Sequence, residues 1–537
     1  MIPALVIGSL IVLICISSGQ FIHRFGMPAL IIFLVLGVVA GALPIDQKLI
    51  DPHIAENIGE VALIFVMFYG GFGTNWKTAR PVAVKAGLLA SLGVCVTAAA
   101  VTLFAHLLFG LGWAESFLLG AVISCTDAAS VFSILRTKKM NLKHNTVSVL
   151  EIENGSNDPT AYLLTMIALV ILQGQPLAEI PLLVLKQVLF GVLVGVLIAK
   201  LSVPLIVRFS RHFADGMDLV FVFAVAVLTF ALTQMLGGNG YLAAFLCGII
   251  LGNSRIPNKV RMAHFFDTVD WFGQIMIFFV LGLLVEPAAL LPAILPAVGL
   301  TLFLLLIARP LAVFLIFRLR GSPTGQCLLI SWVGLRGAAS LVFAVLATTS
   351  GVVLEGDLFS VVVLTAFFSI SLQGTLLEKV ARRLDMIDTD SDVMRSFTDF
   401  QEQSERAFLR MRMHPEHIWV GKALRDLEIG PENLIVLIKR GEKTIAPNGD
   451  TVVMPEDILV MTGESYTDDD DVRIEQTTIG KGDAWANMFV RDLSLPGNTL
   501  VANVAREDGD SVTPKGGTRI RPGDTVTLIT WEGDEAG

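Results

Sequence analysis

Apolar stretches of about 20 residues, the length a helix needs to cross the hydrocarbon core of a bilayer, follow one another from Ile2 to about Leu384. In lipid each backbone N–H and C=O must find a partner inside the protein, so runs of this length read as spanning helices. Of the 537 residues 54% are hydrophobic and only 16% charged, far from an ordinary soluble domain. Thirteen spans are expected, near 2–22, 26–44, 54–72, 81–110, 113–135, 146–173, 177–207, 217–235, 238–253, 264–284, 287–317, 325–350 and 357–380. The first has no basic region before it and no small-residue cleavage site after it, which predicts a retained span and not a signal peptide. From Asp385 the composition turns polar, which predicts a soluble tail. The five cysteines all fall in predicted spans without CxxC spacing, which predicts buried free thiols.

Alternate connections sort by charge. One side receives Arg24; Lys77 and Arg80; Arg136, Lys138, Lys139 and Lys143; Arg208 and Arg211; Arg255, Lys259 and Arg261; Arg318 and Arg320; and Lys379, Arg382 and Arg383, while the other receives only Lys48. The positive-inside rule then puts the N-terminus outside and the tail in the cytoplasm.

Two stretches resemble each other, "ISCTDAASVFSIL" from Ile123 and "ISWVGLRGAASLVFAVL" from Ile330. They fall in the fifth and twelfth spans, which cross the bilayer in opposite directions. Inverted repeats with interrupted helices are the signature of secondary transporters, whose cargo is held near the midplane by unwound backbone and half-helix ends. Asp127 occupies one interruption and Arg336 the other. A charge at that depth costs roughly 2.5–3.5 kcal/mol even on the gentler insertion scale, so such residues face a polar interior.

Between the two lies "EIENGSNDPTAYLL", residues 151 to 164. On a helix Asn154 and Asp158 share one face and Glu153 and Asn157 the adjacent one, so two polar stripes point at one interior. Pro159 and Gly155 loosen the backbone hydrogen bonding there. A carboxylate so placed is neutralised either by a proton or by a desolvated monovalent cation. If one group takes both, the two compete, and the protein exchanges one for the other. A channel would need a pore and a selectivity filter such as TVGYG, and an enzyme a catalytic cluster; neither pattern occurs, and the eight histidines are scattered. No nucleic-acid partner is expected.

These motifs resemble the cation/proton antiporter 1 family, specifically its bacterial potassium/proton antiporter branch: Ser124, Cys125, Thr126 and Asp127 in the fifth span, Glu153, Asn157 and Asp158 in the sixth, and "GLRGAAS" in the twelfth. The resemblance implies an α-helical polytopic fold in which the fifth and twelfth spans cross as broken helices and move against a dimerisation scaffold, in a homodimer within the bacterial inner membrane. It implies that Asp158 carries K+ or Na+ and the proton, that Asn157, Asp127 and Thr126 neighbour it, and that Glu153 and Arg336 form a structural ion pair. Members with Asn-Asp are generally electroneutral. The chain departs from the family where relatives carry acids in "LFDGGLD": it reads "MFYGGFG", with Tyr69 and Gly73 at those places, and "ENGSND" adds Asn154 and Ser156 to the site. A site with more neutral oxygen suits K+ better than Na+, with a Na+/H+ exchanger of the same fold as the alternative. No resident cofactor is implied.

The tail repeats itself. Arg425, Asp426 and Leu427 match Arg491, Asp492 and Leu493; Arg440 matches Arg506, Pro447 matches Pro514, and Asp457 matches Asp524. Each unit reads as α+β. The first resembles the regulator-of-potassium-conductance C-terminal (TrkA-C) domain and the second a degenerate copy, a resemblance that implies dimerisation and small ligands such as cyclic dinucleotides. The expected division is a membrane domain over 1–384, a linker over 385–404, the first unit over 405–465, an acidic linker over 466–483 that includes Asp468 to Asp471, and the second unit over 484–537.

Overall fold

The computed structural model describes residues 30–42, 51–138, 140–209 and 216–388, and in the tail 406–413, 419–427, 434–440, 443–445, 447–464, 472–480, 483, 485–493, 495, 499–506, 511–512 and 514–531. The first expected span, Arg24, Lys48, Lys139, Arg211, most of the 385–404 linker and the run Asp468 to Asp471 lie outside the described residues. The chain divides into two compact units, 1–400 and 401–537.

The first unit is helical. In chain order the helices are α1 (Leu30–Gly41), α2 (Pro52–Gly73), α3 (Ala83–Phe109), α4 (Trp113–Ile123), α5 (Ala128–Thr137), α6 (Thr146–Leu172), α7 (Ile180–Phe209), α8 (Met217–Met235), α9 (Gly240–Asn253), α10 (Lys259–Leu283), α11 (Pro287–Arg320), α12 (Thr324–Trp332), α13 (Ala338–Thr349) and α14 (Leu358–Arg383). Seven described helices are long and apolar enough to cross a membrane. The helix α6 is 27 residues long, but Glu151, Glu153 and Asp158 all fall within it and dilute its hydropathy. The acids lie in its first half, and the stretch from Pro159 to Leu172 after them is largely apolar.

Small residues set the closest packing. The Gly71 Cα faces the Phe245 carbonyl, and the Gly248 Cα faces the Phe68 carbonyl, at separations where any β-carbon would collide with backbone, so α2 and α9 touch main chain to main chain. Three of the long helices contain a single π-type turn, at Leu89–Gly93, Leu304–Ala308 and Ile370–Gly374. The middle one precedes Arg309-Pro310. Proline has no N–H to give the carbonyl four residues back and its ring presses on that carbonyl; the wider turn relieves the clash and rotates Arg309 to the interior, where it is 2% exposed. Cys125, Cys247 and Cys327 are buried free thiols as expected, whereas Cys95 is exposed on the protein surface.

Beyond α14 the backbone does not leave at once. Lys143 N–H donates to the Met386 carbonyl at 2.9 Å, Asp388 N–H donates to the Asn141 carbonyl at 2.9 Å, and Leu142 bridges Ile387. The first residues of the expected linker are thus stitched to the loop between α5 and α6, with Met386 buried.

The second unit contains two four-stranded antiparallel sheets of one topology: β1 (Arg406–Arg412), β2 (Leu434–Arg440), β3 (Lys443–Ile445) and β4 (Ile458–Glu464) in the order β1-β4-β2-β3, then β5 (Val472–Thr478), β6 (Thr499–Ala505), β7 (Ser511–Val512) and β8 (Thr525–Trp531) in the order β5-β8-β6-β7. The helical part of the expected α+β units is, among the described residues, a single 3-10 turn in each, Leu424–Asp426 and Val490–Asp492. The edge strand β5 occupies residues assigned above to the acidic linker. The repeated side chains form repeated contacts. Arg440 grips Asp457 through Nε at 2.8 Å and Nη2 at 2.7 Å, and Met454 N–H donates to the same carboxylate at 2.8 Å. Arg506 donates to Asp524, which also accepts from Arg521 N–H at 2.6 Å.

Burial pushes the Asp457 carboxyl up, but the Arg440 hydrogen bonds, the Met454 N–H and the charge of Arg440 outweigh it and leave the group below its usual range. A depressed carboxylate contributes stability that is fully present above its unfolded pKa of about 3.9 and is lost as pH falls through the lower folded value. The protection factors of β2 and β4 amides, intrinsic exchange rates divided by the observed rates at each pH, are therefore expected to fall below about pH 4 in the natural chain, and Asp457→Asn to remove that pH dependence while lowering protection at pH 7 by no more than about fivefold, since Arg440 is half exposed. A pH-independent natural chain would contradict this.

Candidate functional site

The site is built where α6 passes the two interrupted helices. Between α4 and α5 the chain unwinds over Ser124, Cys125, Thr126 and Asp127; between α12 and α13 it unwinds from Val333 to Gly337. The two breaks are bonded to each other, Asp127 N–H donating to the Leu335 carbonyl at 2.8 Å. The Arg336 guanidinium donates from Nη1 to the Ser124 carbonyl at 2.8 Å and the Cys125 carbonyl at 2.5 Å, carbonyls at the C-terminal end of α4. The Asp127 carboxylate sits at the N-terminal end of α5, where it accepts from Ser130 N–H at 3.4 Å and from the Ser130 hydroxyl. Negative charge at a helix start and positive charge at a helix end are both favoured by the backbone dipoles. Gly337 is required at the crossing because a β-carbon there would collide with the Asp127 carboxylate.

Glu153 does not pair with Arg336. Its Oε1 and Oε2 accept from Arg309 Nη1 and Nη2 at 3.0 and 2.9 Å, a two-pronged bond with side chains 0% and 3% exposed. Oε1 also accepts from Asn157 Nδ2 at 3.2 Å and from the Thr126 hydroxyl at 3.3 Å. Both lobes of the carboxylate are thus occupied, and its charge is matched. Arg309 was visible as an arginine deep in an apolar run, but its partner is 156 positions away and depends on the π turn, which residue spacing does not reveal.

Thr126 links the rest. Its hydroxyl bonds Asn154 Oδ1 at 2.6 Å and lies against Asn157 Nδ2. Because Asn157 Nδ2 faces a carboxylate that can only accept, its oxygen must point the other way. That oxygen, Asn157 Oδ1, and Asp158 Oδ1 are buried without a hydrogen-bond partner. The Cys125 thiol lies 3.1 Å from the Ser340 hydroxyl, across the two breaks. Pro159, whose ring removes a helix hydrogen bond beside Asp158, has its own carbonyl held by Asn239 Nδ2 at 2.8 Å. Cys125 and Ser340 lie in the two quoted motifs but were given no part in the site, and Asn239 was not singled out at all.

Thr126, Asn154, Asn157 and Glu153 are therefore joined by direct hydrogen bonds, with Asp158 on the same helix and Asp127 and Arg336 at the adjoining breaks. Two other candidates stand elsewhere. Ser156 donates back to the Ile152 carbonyl of its own helix, and Tyr69 donates to Asp267 of α10 at 2.8 Å. What the cluster can do chemically follows from its two free acceptors. A cation stripped of water, or a proton, would find a carboxylate oxygen and an amide oxygen that no protein group satisfies.

Residues 9–383 match the family model described as sodium/hydrogen exchanger, transmembrane, and residues 408–466 and 474–534 each match the TrkA-C domain. The chain is 38% identical over 385 residues to the K(+)/H(+) antiporter NhaP of Alkalimonas amylolytica, covering 71% of this chain and 67% of that one. It is 31% identical over 471 residues to the K(+)/H(+) antiporter NhaP2 of Shewanella sp. (strain MR-4), covering 85% and 80%. Among solved structures, the sodium proton antiporter MjNhaP1 of Methanocaldococcus jannaschii at pH 8 superposes with a TM-score of 0.61 at 20% identity, over 72% of this chain and 99% of that one. At that identity the likeness carries the fold.

Proposed function

Since the chain belongs to the sodium/hydrogen exchanger family, with a TrkA-C tail, we propose that it exchanges K+ for H+, one for one, at Asp158. The observation that carries this reading is the unpartnered Asp158 Oδ1 in a cluster whose other carboxylates are engaged, Glu153 by Arg309 and Asp127 by Ser130. A group that holds either a proton or a cation, and never both, couples the two fluxes by competition. Asn157 Oδ1 and Thr126 supply neutral oxygen beside it, and Asp127 adds charge from the break. Alternating access then needs only that the crossed breaks and α6 reach one solution and then the other.

The preference for K+ rests on field strength. One free carboxylate among neutral oxygens attracts a cation weakly, and weak-field sites favour the larger, more cheaply dehydrated ion. The relatives named K(+)/H(+) antiporters support the same choice. In proteoliposomes loaded with a pH-sensitive dye, K+ and Rb+ are expected to release protons at lower concentrations than Na+, and Na+ lower than Li+. Proton release driven best by Li+ would transfer the assignment to the Na+/H+ alternative, and none by any of the four would remove the exchange reading. We further assign a homodimer, a bacterial inner-membrane location with the N-terminus outside, and a regulatory tail that takes small ligands of the cyclic dinucleotide class; the family match and the basic bias of alternate loops support these assignments.

A further inference from the structure

The carrier helix continues past Asp158 into a polar column that the exchange site itself does not use. Tyr162 stands one helical turn beyond Asp158, on the same face of α6. Its hydroxyl accepts from Gln234 Nε2 of α8 at 3.2 Å. Its ring meets Tyr241 of α9 edge to face with centroids 5.1 Å apart, and Phe343 of α13 lies 5.7 and 6.1 Å from the two rings. Tyr162 and Tyr241 are 5% and 1% exposed.

Helix α2 closes the column. Gly59 packs against Val342, the neighbour of Phe343. The next residue, Glu60, and Glu56 one turn earlier are half buried and within electrostatic reach of both tyrosines, as Asp158 is of Tyr241. Glu56 has His53 3.5 Å away at the rim, but among the described residues no base pairs with Glu60. An unpaired acid two turns inside a spanning helix is costly unless it faces a polar path. By the charge sorting of the loops, this end of α2 is the outer end.

We propose that Glu60 is a positioning residue for the outer half of the exchange cycle, drawing the cation into a path whose inner wall is the Tyr241 and Tyr162 hydroxyls and whose end is Asp158. The proposal rests on Asp158 as the carrier. The cation that leaves or enters on this face passes a carboxylate first and phenolic oxygens next, each replacing part of its water. A low-dielectric wall around one negative charge raises the local cation concentration, an effect that salt screens.

The test uses the full-length protein in right-side-out and everted vesicles, with K+ presented to one face at a time and proton movement read inside. Glu60→Gln is expected to raise the KM for K+ roughly fivefold on the face where α2 begins, to leave the opposite face unchanged, and to lose the difference from the natural chain when choline chloride raises the ionic strength. Glu60→Asp, which keeps the charge, is expected to restore most of the affinity and serves as the readout if the glutamine variant does not fold. An equal change on both faces, or none on either, would overturn the proposal. Failure of the carrier reading looks different: cation-driven proton release would then survive Asp158→Asn.

Discussion

Asp158→Asn is expected to reduce cation-driven proton release to the leak of protein-free vesicles. Asparagine keeps the shape of the side chain, but it can neither bind the exchanged proton nor balance a dehydrated cation. Folding should survive, since the change removes a buried carboxylate with an unpartnered oxygen and leaves the Glu153, Thr126 and Asn157 bonds intact. Thermal unfolding in detergent and the dye assay on the same preparation check both halves. A folded variant that still exchanges would take Asp158 out of the mechanism, and one that fails to fold would make it structural.

The second large effect concerns the pair that holds the cluster in place. Arg309→Leu leaves Glu153 buried with a full charge and no counter-ion, and removal of one partner from a buried pair typically costs about 3–5 kcal/mol. The variant should show a thermal midpoint several degrees lower, with little folded protein at physiological temperature. Adding Glu153→Leu to Arg309→Leu should recover part of the loss, because no bare carboxylate remains. Recovery is expected to be incomplete, since Thr126 and Asn157 also lean on Glu153 Oε1. A double variant no more stable than the single one would mean that Arg309 acts through contacts other than this pair.

The helical character of the first unit, the two breaks and the polar stripes of α6 were legible because each rests on a local pattern: a run of apolar residues, an interruption, a spacing of four. The partner of Glu153 was not. Both Arg309 and Arg336 sit deep in apolar sequence, and residue spacing does not tell which one meets the acid; it is Arg309, directly after the π turn at Leu304–Ala308. Arg336 instead serves backbone carbonyls, a role with no signature in side-chain spacing. Tyr69 was offered to the site because it replaces a familial acid, yet its hydroxyl is engaged by Asp267. In the tail, Val472 and Ile474 alternate with Arg473 and Glu475 directly after the run Asp468 to Asp471, too short a pattern to mark the strand β5 that they form. The repeat itself read true down to side chains, with Arg440 and Asp457 answered by Arg506 and Asp524.

The charges around the crossing have one more consequence. Asp127 and Arg336 sit at the ends of half-helices, and Glu153 and Arg309 neutralise each other, so the fixed acids and bases at the centre cancel. With a proton or a K+ ion on Asp158, the whole centre is uncharged. Moving one elementary charge across 100 mV takes about 2.3 kcal/mol, but a centre with no net charge feels none of it. With Asp158 as the proposed carrier, exchange is expected to proceed at the same rate in vesicles with and without an imposed membrane potential.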